Sequence, residues 1–422
     1  MLNKKVKGGA LQFVLFIGVV IAILLLSFIG LTYAHRYFQK RGEFLLKAVE
    51  QANNGINYSL HNDIVLGDSV TIAMTEENDL SSEIKATKKY WGLYELVSVK
   101  SSIHNQEFIK IALVGGWNQK GDRYSLFLKE SNRPLVVVEN TNIQGQLMLP
   151  RDGLRPGNMG GKSFTGSLSP PNKIKPSTSR LPKLSKGIMD KLELWLDGEF
   201  GSELEPAQMN YPLNFKNSFK NKTLLLGSNG QISLDVGTLI GNVVVFSSSK
   251  ITIGQNMKIN DAIVIAPFIE IDKGFKGNLQ AFASKELIVE KDVVLEYPSS
   301  LALYNKGLRY PKASITINEG ADVKGGIVYW DDYDEKEQQL FTPQIEIHKG
   351  ATVNGEIYCS RGLELLGKVK GSITTSYFIV NKFGSVYQNH IYGGQLNVDW
   401  RQDNYTGLLF NSEKKKIMKW LY

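Results

Sequence analysis

Ile315-Thr-Ile-Asn-Glu-Gly-Ala-Asp-Val-Lys-Gly-Gly-Ile327 and Ile345-Glu-Ile-His-Lys-Gly-Ala-Thr-Val-Asn-Gly-Glu-Ile357 are two copies of one pattern, with apolar residues and glycines at matching positions. Each copy opens on an apolar-x-apolar triplet, which places alternate side chains on opposite faces of a short strand. The glycines suit turns that need a positive φ. The pattern therefore predicts a repeated strand–turn unit.

Similar triplets recur through the C-terminal half, at a spacing near 18 residues with two longer intervals of 28 and 30. They are Ile232-Ser-Leu234, Ile251-Thr-Ile253, Ile269-Glu-Ile271, Leu287-Ile-Val289, Ile315-Thr-Ile317, Ile345-Glu-Ile347, Leu363-Glu-Leu365 and Phe378-Ile-Val380. Such units bury their apolar faces only by stacking on one another. The repeat predicts a parallel β-helix, a solenoid, over residues 222–400.

The Gly-Ala-x-Val-x-Gly-x-Ile pattern resembles that of bactofilins, which are polymer-forming right-handed parallel β-helices of the bacterial cytoskeleton. The resemblance extends over about 222–392 and is best at 313–373. It implies a self-associating scaffold on the inner face of the membrane. This location is the alternative to the one that the N-terminal segment predicts.

The N-terminal segment contains the longest apolar run, Phe13-Val-Leu-Phe-Ile-Gly-Val-Val-Ile-Ala-Ile-Leu-Leu-Leu-Ser-Phe-Ile-Gly-Leu-Thr-Tyr33. At about 1.5 Å per residue, a helix over residues 13–33 crosses a ~30 Å hydrocarbon layer. The segment predicts a single-pass anchor that contacts lipid in the bacterial cytoplasmic membrane. Because a very short N-terminal arm usually stays inside, the bulk of the chain is expected on the extracytoplasmic side.

Helical spacing of apolar residues continues beyond the anchor, so residues 1–55 are predicted as an anchor with a helical extension. A basic leader, Lys4-Lys5-Val6-Lys7-Gly8-Gly9, precedes the apolar helix. This arrangement resembles the N-terminal helix of type IV pilins and pseudopilins, and the resemblance implies a pilus or envelope protein as partner. A plain signal anchor is the alternative.

The remaining chain is predicted to be mainly β, so the fold class is an N-terminal transmembrane helix, a small β-rich domain and the C-terminal β-helix. The predicted parts are a β-rich domain at 56–152, a basic Gly/Pro/Ser linker or loop at 153–186, a connecting segment at 187–221 and a C-terminal cap at 401–422 that covers the open end of the β-helix.

The net charge of +8 is concentrated in two places, +6 within residues 1–41 and +7 within residues 153–189, and the rest of the chain carries −5. A nucleic-acid-binding protein needs basic residues clustered on a folded face. The distribution predicts no nucleic-acid partner.

One candidate ligand or partner loop is rich in aromatic and acidic residues: Tyr329, Trp330, Asp331, Asp332, Tyr333, Asp334 and Glu335. Aromatic faces stack on sugar rings, so exposed aromatics here predict a glycan or a partner protein. A solvated surface loop is the alternative.

A candidate carboxylate pair, Glu346 and Glu364, lies at the centres of consecutive triplets, about 4.8 Å apart if the rungs stack. Two such carboxyl groups act as acid and base when their pKa values separate, as in a polysaccharide lyase or hydrolase. The alternative is a solvated pair beside Lys349 and Lys368.

The single cysteine, Cys359, excludes a disulfide within the chain. The five histidines are scattered, and no hydrolase, nucleotide-binding or metalloprotease motif occurs. We expect no catalytic residue, no cofactor and no metal site. The predicted function is that of a membrane-anchored, non-enzymatic structural or interaction protein of the bacterial cell envelope.

Overall fold

The computed structural model describes residues 9–62, 64, 67, 69–72, 82–118, 123–332, 341–411 and 414–421. The protein is mainly β, as predicted. The chain divides into two compact units. The helical unit is built from residues within 1–59, 69–87 and 98–110, and the β-helix unit from residues within 60–68, 88–97 and 111–422.

The helical unit begins with α1, Gly9–His61, a single helix of 53 residues that joins the predicted anchor to its extension. The apolar side chains of its first half are exposed. In the second half, buried residues recur at spacings of three and four: Ala48, Gln51, Ala52, Gly55, Ile56 and Ser59. The first half of α1 therefore exposes its apolar side chains, and the second half packs against the rest of the helical unit.

The second half packs on the helical unit's part of a sheet made by β1 (Ser69–Thr71), β2 (Ser82–Trp91), β3 (Tyr94–Ile103) and β4 (Gln106–Trp117). Residues 88–97 and 111–117 of these strands belong to the β-helix unit. Gly55 allows close approach, since a Cβ there would lie 2.6 Å from Val99 Cγ1. The Ser101 hydroxyl donates to Gln51 Oε1 at 3.1 Å. Phe44 and His104 pack with ring centroids 4.6 Å apart.

The β-helix unit contains most of the other strands. Before the second helix they are β5 (Tyr124–Leu128), β6 (Leu135–Val138), β7 (Asn142–Gln144), β8 (Gln146–Leu149), β9 (Leu154–Pro156), β10 (Asn158–Met159), β11 (Lys162–Ser163), β12 (Ser167–Leu168) and β13 (Ile174–Pro176). Helix α2 is Lys186–Leu196, and short 3₁₀ helices lie at Pro171–Lys173, Lys306–Leu308 and Val398–Trp400.

The strands after α2 are β14 (Leu204–Pro206), β15 (Leu213–Asn217), β16 (Thr223–Ser228), β17 (Ile232–Gly241), β18 (Val243–Ser247), β19 (Lys250–Ile271), β20 (Lys276–Val289), β21 (Val294–Tyr304), β22 (Ser314–Ile317), β23 (Asp322–Trp330), β24 (Ile345–Ile347), β25 (Thr352–Leu365), β26 (Lys368–Val369), β27 (Ser372–Lys382), β28 (Ser385–Gln388), β29 (His390–Tyr392), β30 (Gln395–Asn397) and β31 (Lys414–Trp420).

Parallel pairing between successive turns, or rungs, makes the predicted β-helix, in which the sheet winds and closes on itself. Its inward side chains form an apolar core. One inner column follows the strand register from rung to rung: Leu226, Val245, Val264, Ala281, Leu301, Ile327, Ile357, Ile373, Leu126, Leu147 and Ile174. All but the partly buried Ile174 are at most 1% exposed.

That column is not in chain order, because Ile373 pairs with Leu126. Residues 124–149 lie on the last C-terminal rung, and β12 and β13 pair onto β7 and β8 as further rungs. The structure thus differs from the predicted β-rich domain and basic linker, since residues from both continue the solenoid. The physical reason is that a bare terminal rung would leave a sheet edge unpaired.

The outer side of several strands is also apolar, because it is covered. Ile188, Leu192 and Trp195 of α2 share one helix face and pack in a lateral cluster. The outward strand residues of this cluster are Val244, Ile263, Ile265, Phe282, Ala302, Val328 and Tyr358. The predicted connecting segment therefore supplies a helix that buries a second face of the sheet.

The C-terminal residues cover that same lateral face, and the predicted cap on the open end is wrong. Leu408 and Leu409 are buried in the lateral cluster. Strand β31 pairs antiparallel with β4, from Lys414 opposite Trp117 to Trp420 opposite Ala112. The strand edge left after β27 is instead paired with β5. The apolar C-terminal residues therefore pack on the outer face of the sheet, which they help to bury.

Glycines of the repeat also form a column, because neighbouring rungs approach closely there. A Cβ on Gly355 would lie 1.9 Å from the carbonyl oxygen of Gly325, and a Cβ on Gly371 would lie 1.7 Å from that of Gly355. Only a hydrogen atom fits in these positions, which explains the glycine of the Gly-x-Ile motif.

The out-of-order stacking predicts the effect of Leu126→Ala. Truncating this buried side chain is expected to cost about 2–5 kcal/mol and to weaken amide-exchange protection of residues 373–375, which pair with β5. The exposed Lys162→Ala is the control. Unchanged exchange at 373–375 in a destabilised Leu126→Ala protein would contradict the stacking.

Candidate functional site

The candidate loop begins within β23, which contains Tyr329 and Trp330, and continues beyond the end of that strand. The structure describes it up to Asp332, and the predicted residues Tyr333, Asp334 and Glu335 lie outside the described residues.

The aromatic part of the loop differs from the prediction, because Tyr329 belongs to the core. It is 0% exposed, and its hydroxyl accepts a hydrogen bond from Asn305 Nδ2 at 3.2 Å. Burial raises the pKa of this phenol. Trp330 is half-buried and stacks on Tyr304, with ring centroids 4.8 Å apart. Of Tyr329 and Trp330, only Trp330 exposes part of its ring to solvent.

The first acid of the loop is part of a buried ion pair. Asp331 accepts from Arg361 Nε at 2.9 Å and from Arg361 Nη2 at 2.7 Å, and both side chains are 3% exposed. Ser360 donates a further hydrogen bond at 3.0 Å. The next acid, Asp332, is exposed and accepts from the backbone N–H of Gly307 at 2.6 Å. Asp331 therefore ties two rungs together and is not free to bind a ligand.

The candidate carboxylate pair has the predicted placement. Glu346 on β24 lies directly opposite Glu364 on β25 in the parallel register. Glu346 is half-buried, while Glu364 is 9% exposed. Desolvation, together with the charge of Glu346, raises the pKa of Glu364, and a backbone N–H from Asn381 partly opposes that shift. Glu364 is thus the more deeply buried of the two carboxyl groups.

A histidine completes this cluster, and sequence reasoning missed it. His348 Nε2 lies 3.3 Å from Glu346 Oε2. That hydrogen bond raises the pKa of His348, against the opposing effect of burial. The available signal was its spacing, since residues two apart on a strand share a face. His348 therefore keeps its proton to a higher pH than an ordinary histidine.

Metal and thiol chemistry find no support in the part of the chain that the structure describes. No group of three or more His, Cys, Asp or Glu residues there could hold a metal ion. Cys359 is fully buried, and burial raises the pKa of its thiol to about 12. A thiol so rarely ionised is a poor nucleophile.

Comparison with known protein families, with curated proteins and with solved structures gives no match for this chain. The fold and its side-chain geometry therefore carry the functional argument.

Asp331→Asn tests the structural role of the loop's first acid. Breaking a buried ion pair leaves Arg361 uncompensated, so we expect a loss of about 3–5 kcal/mol in the free energy of unfolding. The adjacent, exposed Asp332→Asn should cost less than about 1 kcal/mol. Denaturant unfolding of both variants measures the difference, and equal stabilities would contradict the assignment.

Glu346→Gln tests the coupling in the cluster. Removing the carboxylate lowers the pKa of His348, because the neutral amide no longer favours the imidazolium. In the wild type the raised pKa makes His348 stabilising below about pH 6.5, and that contribution is lost as the pH rises through the raised value. NMR titration of the imidazole measures the shift. An unchanged His348 titration in Glu346→Gln would exclude the coupling.

Proposed function

We propose that this protein is a membrane-anchored, non-enzymatic structural or interaction protein of the bacterial cell envelope, with its β-helix unit outside the cytoplasm. The observation that carries the proposal is the bare apolar half of α1. One helix in the described residues is long and apolar enough to cross a membrane.

The exposure of that half supports lipid as its partner. Leu15, Leu26 and Leu31 are each about two-thirds or more exposed to solvent in the isolated chain. Transfer of such side chains from water to hydrocarbon is favourable by about 1.5–3 kcal/mol each. Residues 13–33 thus provide enough apolar surface for stable insertion.

The second half of α1 supports a pilin-like version of this role. It packs on antiparallel strands within the same unit, where Gly55 lies against Ile84 and Val99. The same apolar surface that fits lipid also fits between like helices in an assembly. We therefore propose pilus or envelope proteins, including further copies of this chain, as partners of α1.

Two alternatives have support of their own. The Gly-Ala-x-Val repeat and the continuous inner column support a bactofilin-like scaffold on the inner membrane face. The stacked carboxyl groups of Glu346 and Glu364 support a polysaccharide-active β-helix, since acid–base catalysis of glycan cleavage uses two neighbouring carboxyl groups. Membrane side separates the first alternative from the leading proposal.

Cysteine labelling tests the membrane side. Native Cys359 is buried and unreactive, so an engineered thiol at the exposed Ser202 reports alone. The outer barrier of the cells is permeabilised while the cytoplasmic membrane stays intact, and a membrane-impermeant maleimide is added. We expect Ser202→Cys to react under these conditions and Asn3→Cys to react only after lysis. The opposite pattern overturns the proposal and supports the cytoplasmic scaffold.

A further inference from the structure

We propose that a groove on the β-helix unit binds an anionic glycan strand that lies along the solenoid axis. The lysine groove, defined by Lys349, Lys368, Lys382, Glu139, Asn140 and Tyr392, encloses about 520 Å³. The proposal rests on the extracytoplasmic placement above, because glycan polymers are found there. Neither carboxylate of the Glu346/Glu364 pair lines the groove.

The groove extends across several rungs. Thr352 pairs with Lys368, Lys368 with Gln395 and Gln395 with Asn142, all in parallel register. Four rungs at about 4.8 Å give a length of about 14 Å along the axis. The wall formed by Glu139 and Asn140 belongs to the rungs that stack out of chain order. The groove is therefore created by that stacking.

Charge in the groove favours an anion. Among the described residues, no carboxylate lies within ion-pairing distance of Lys349, Lys368 or Lys382, whereas Lys250 on the same solenoid pairs with Glu270 at 2.6 Å. Lys368 and Lys382 are half-buried and lie over aromatic rings, Trp400 at 5.5 Å and Tyr392 at 5.2 Å. The three lysines outnumber the one lining carboxylate, Glu139, so the groove carries a net positive charge that favours a bound anion.

The other lining groups suit a sugar. Asn140 and Gln395 supply amides that donate to and accept from hydroxyl groups. Gly367 lines the groove where neighbouring rungs approach closely, since a Cβ there would lie 2.6 Å from the carbonyl oxygens of Ala351 and His348. Such amides and the lysines are the kind of polar groups that fix the orientation of a ligand in a pocket.

Lysine binds carboxylate and phosphate alike as a point charge, so the ligand class is a glycan that carries either anion. A nucleic acid is less favoured, because Tyr392 is the single aromatic ring among the described lining residues on which a base could stack.

Calorimetry with the full-length protein in detergent micelles tests the proposal. The probes are an oligogalacturonate, a phosphomannan, neutral dextran and single-stranded DNA. We expect binding to one or both anionic glycans, with an affinity that falls as salt is added. The two anionic probes identify the carboxylate or the phosphate as the preferred group. No binding to either, equal binding of dextran, or tighter binding of DNA would overturn the proposal.

The variant Lys349→Gln/Lys368→Gln/Lys382→Gln is expected to bind the anionic glycan roughly tenfold more weakly or worse. The matched control, Lys222→Gln/Lys258→Gln/Lys276→Gln, removes the same charge from exposed positions elsewhere on the unit and should stay within about twofold of wild type. Thermal melting verifies that both variants are folded. Equal loss in both variants would overturn the groove as the site.

The labelling of Ser202→Cys keeps the two proposals separable. If Ser202→Cys is labelled from outside the cytoplasm but no glycan binds, only the groove proposal is overturned. If Ser202→Cys is labelled only after lysis, the extracytoplasmic placement is overturned as well.

Discussion

The structure of the β-helix unit depends on one interaction, the parallel pairing of each rung with the next at about 4.8 Å. This pairing satisfies the backbone N–H and C=O groups and, at the same time, stacks like side chains into the apolar column from Leu226 to Ile174. Hydrogen bonding and hydrophobic burial are thus fulfilled by the same geometry. A column of glycines, which includes Gly325 and Gly355, permits the close approach.

The same interaction explains why the chain leaves its own order. A solenoid that ended at β27 would present an unpaired edge, which is a template for pairing with another chain. Residues 124–176 pair onto this edge, and the chain then continues through α2 to β14, whose strand pairs with β16. Helix α2 and the residues around Leu408 cover the outer apolar face. The lysine groove is a consequence of this stacking. Glu139 and Asn140 form one wall, and the other lining residues come from 349–395.

Sequence reasoning succeeded where the signal is local or periodic. The triplets predicted the β-helix and the opposition of Glu346 to Glu364, because register follows from a regular repeat. It failed where strands are short and non-repetitive: β12 has two residues and β13 has three, within a segment rich in proline and glycine. It also failed for Tyr329 and Asp331, which were predicted to lie in an exposed ligand or partner loop. Their partners, Asn305 and Arg361, lie on other rungs.

Local sequence was therefore sufficient for the apolar helix and for the repeating strand–turn unit, since both follow from the periodicity of apolar residues along one stretch of chain. Tertiary structure alone decided the stacking order, the lateral cover and the convergence of Lys349, Lys368 and Lys382 beside Glu139. The physical reason is that an exposed rung edge and an exposed apolar face are each covered by whichever distant segment fits. The local sequence of such a segment does not indicate which distant residues it packs against.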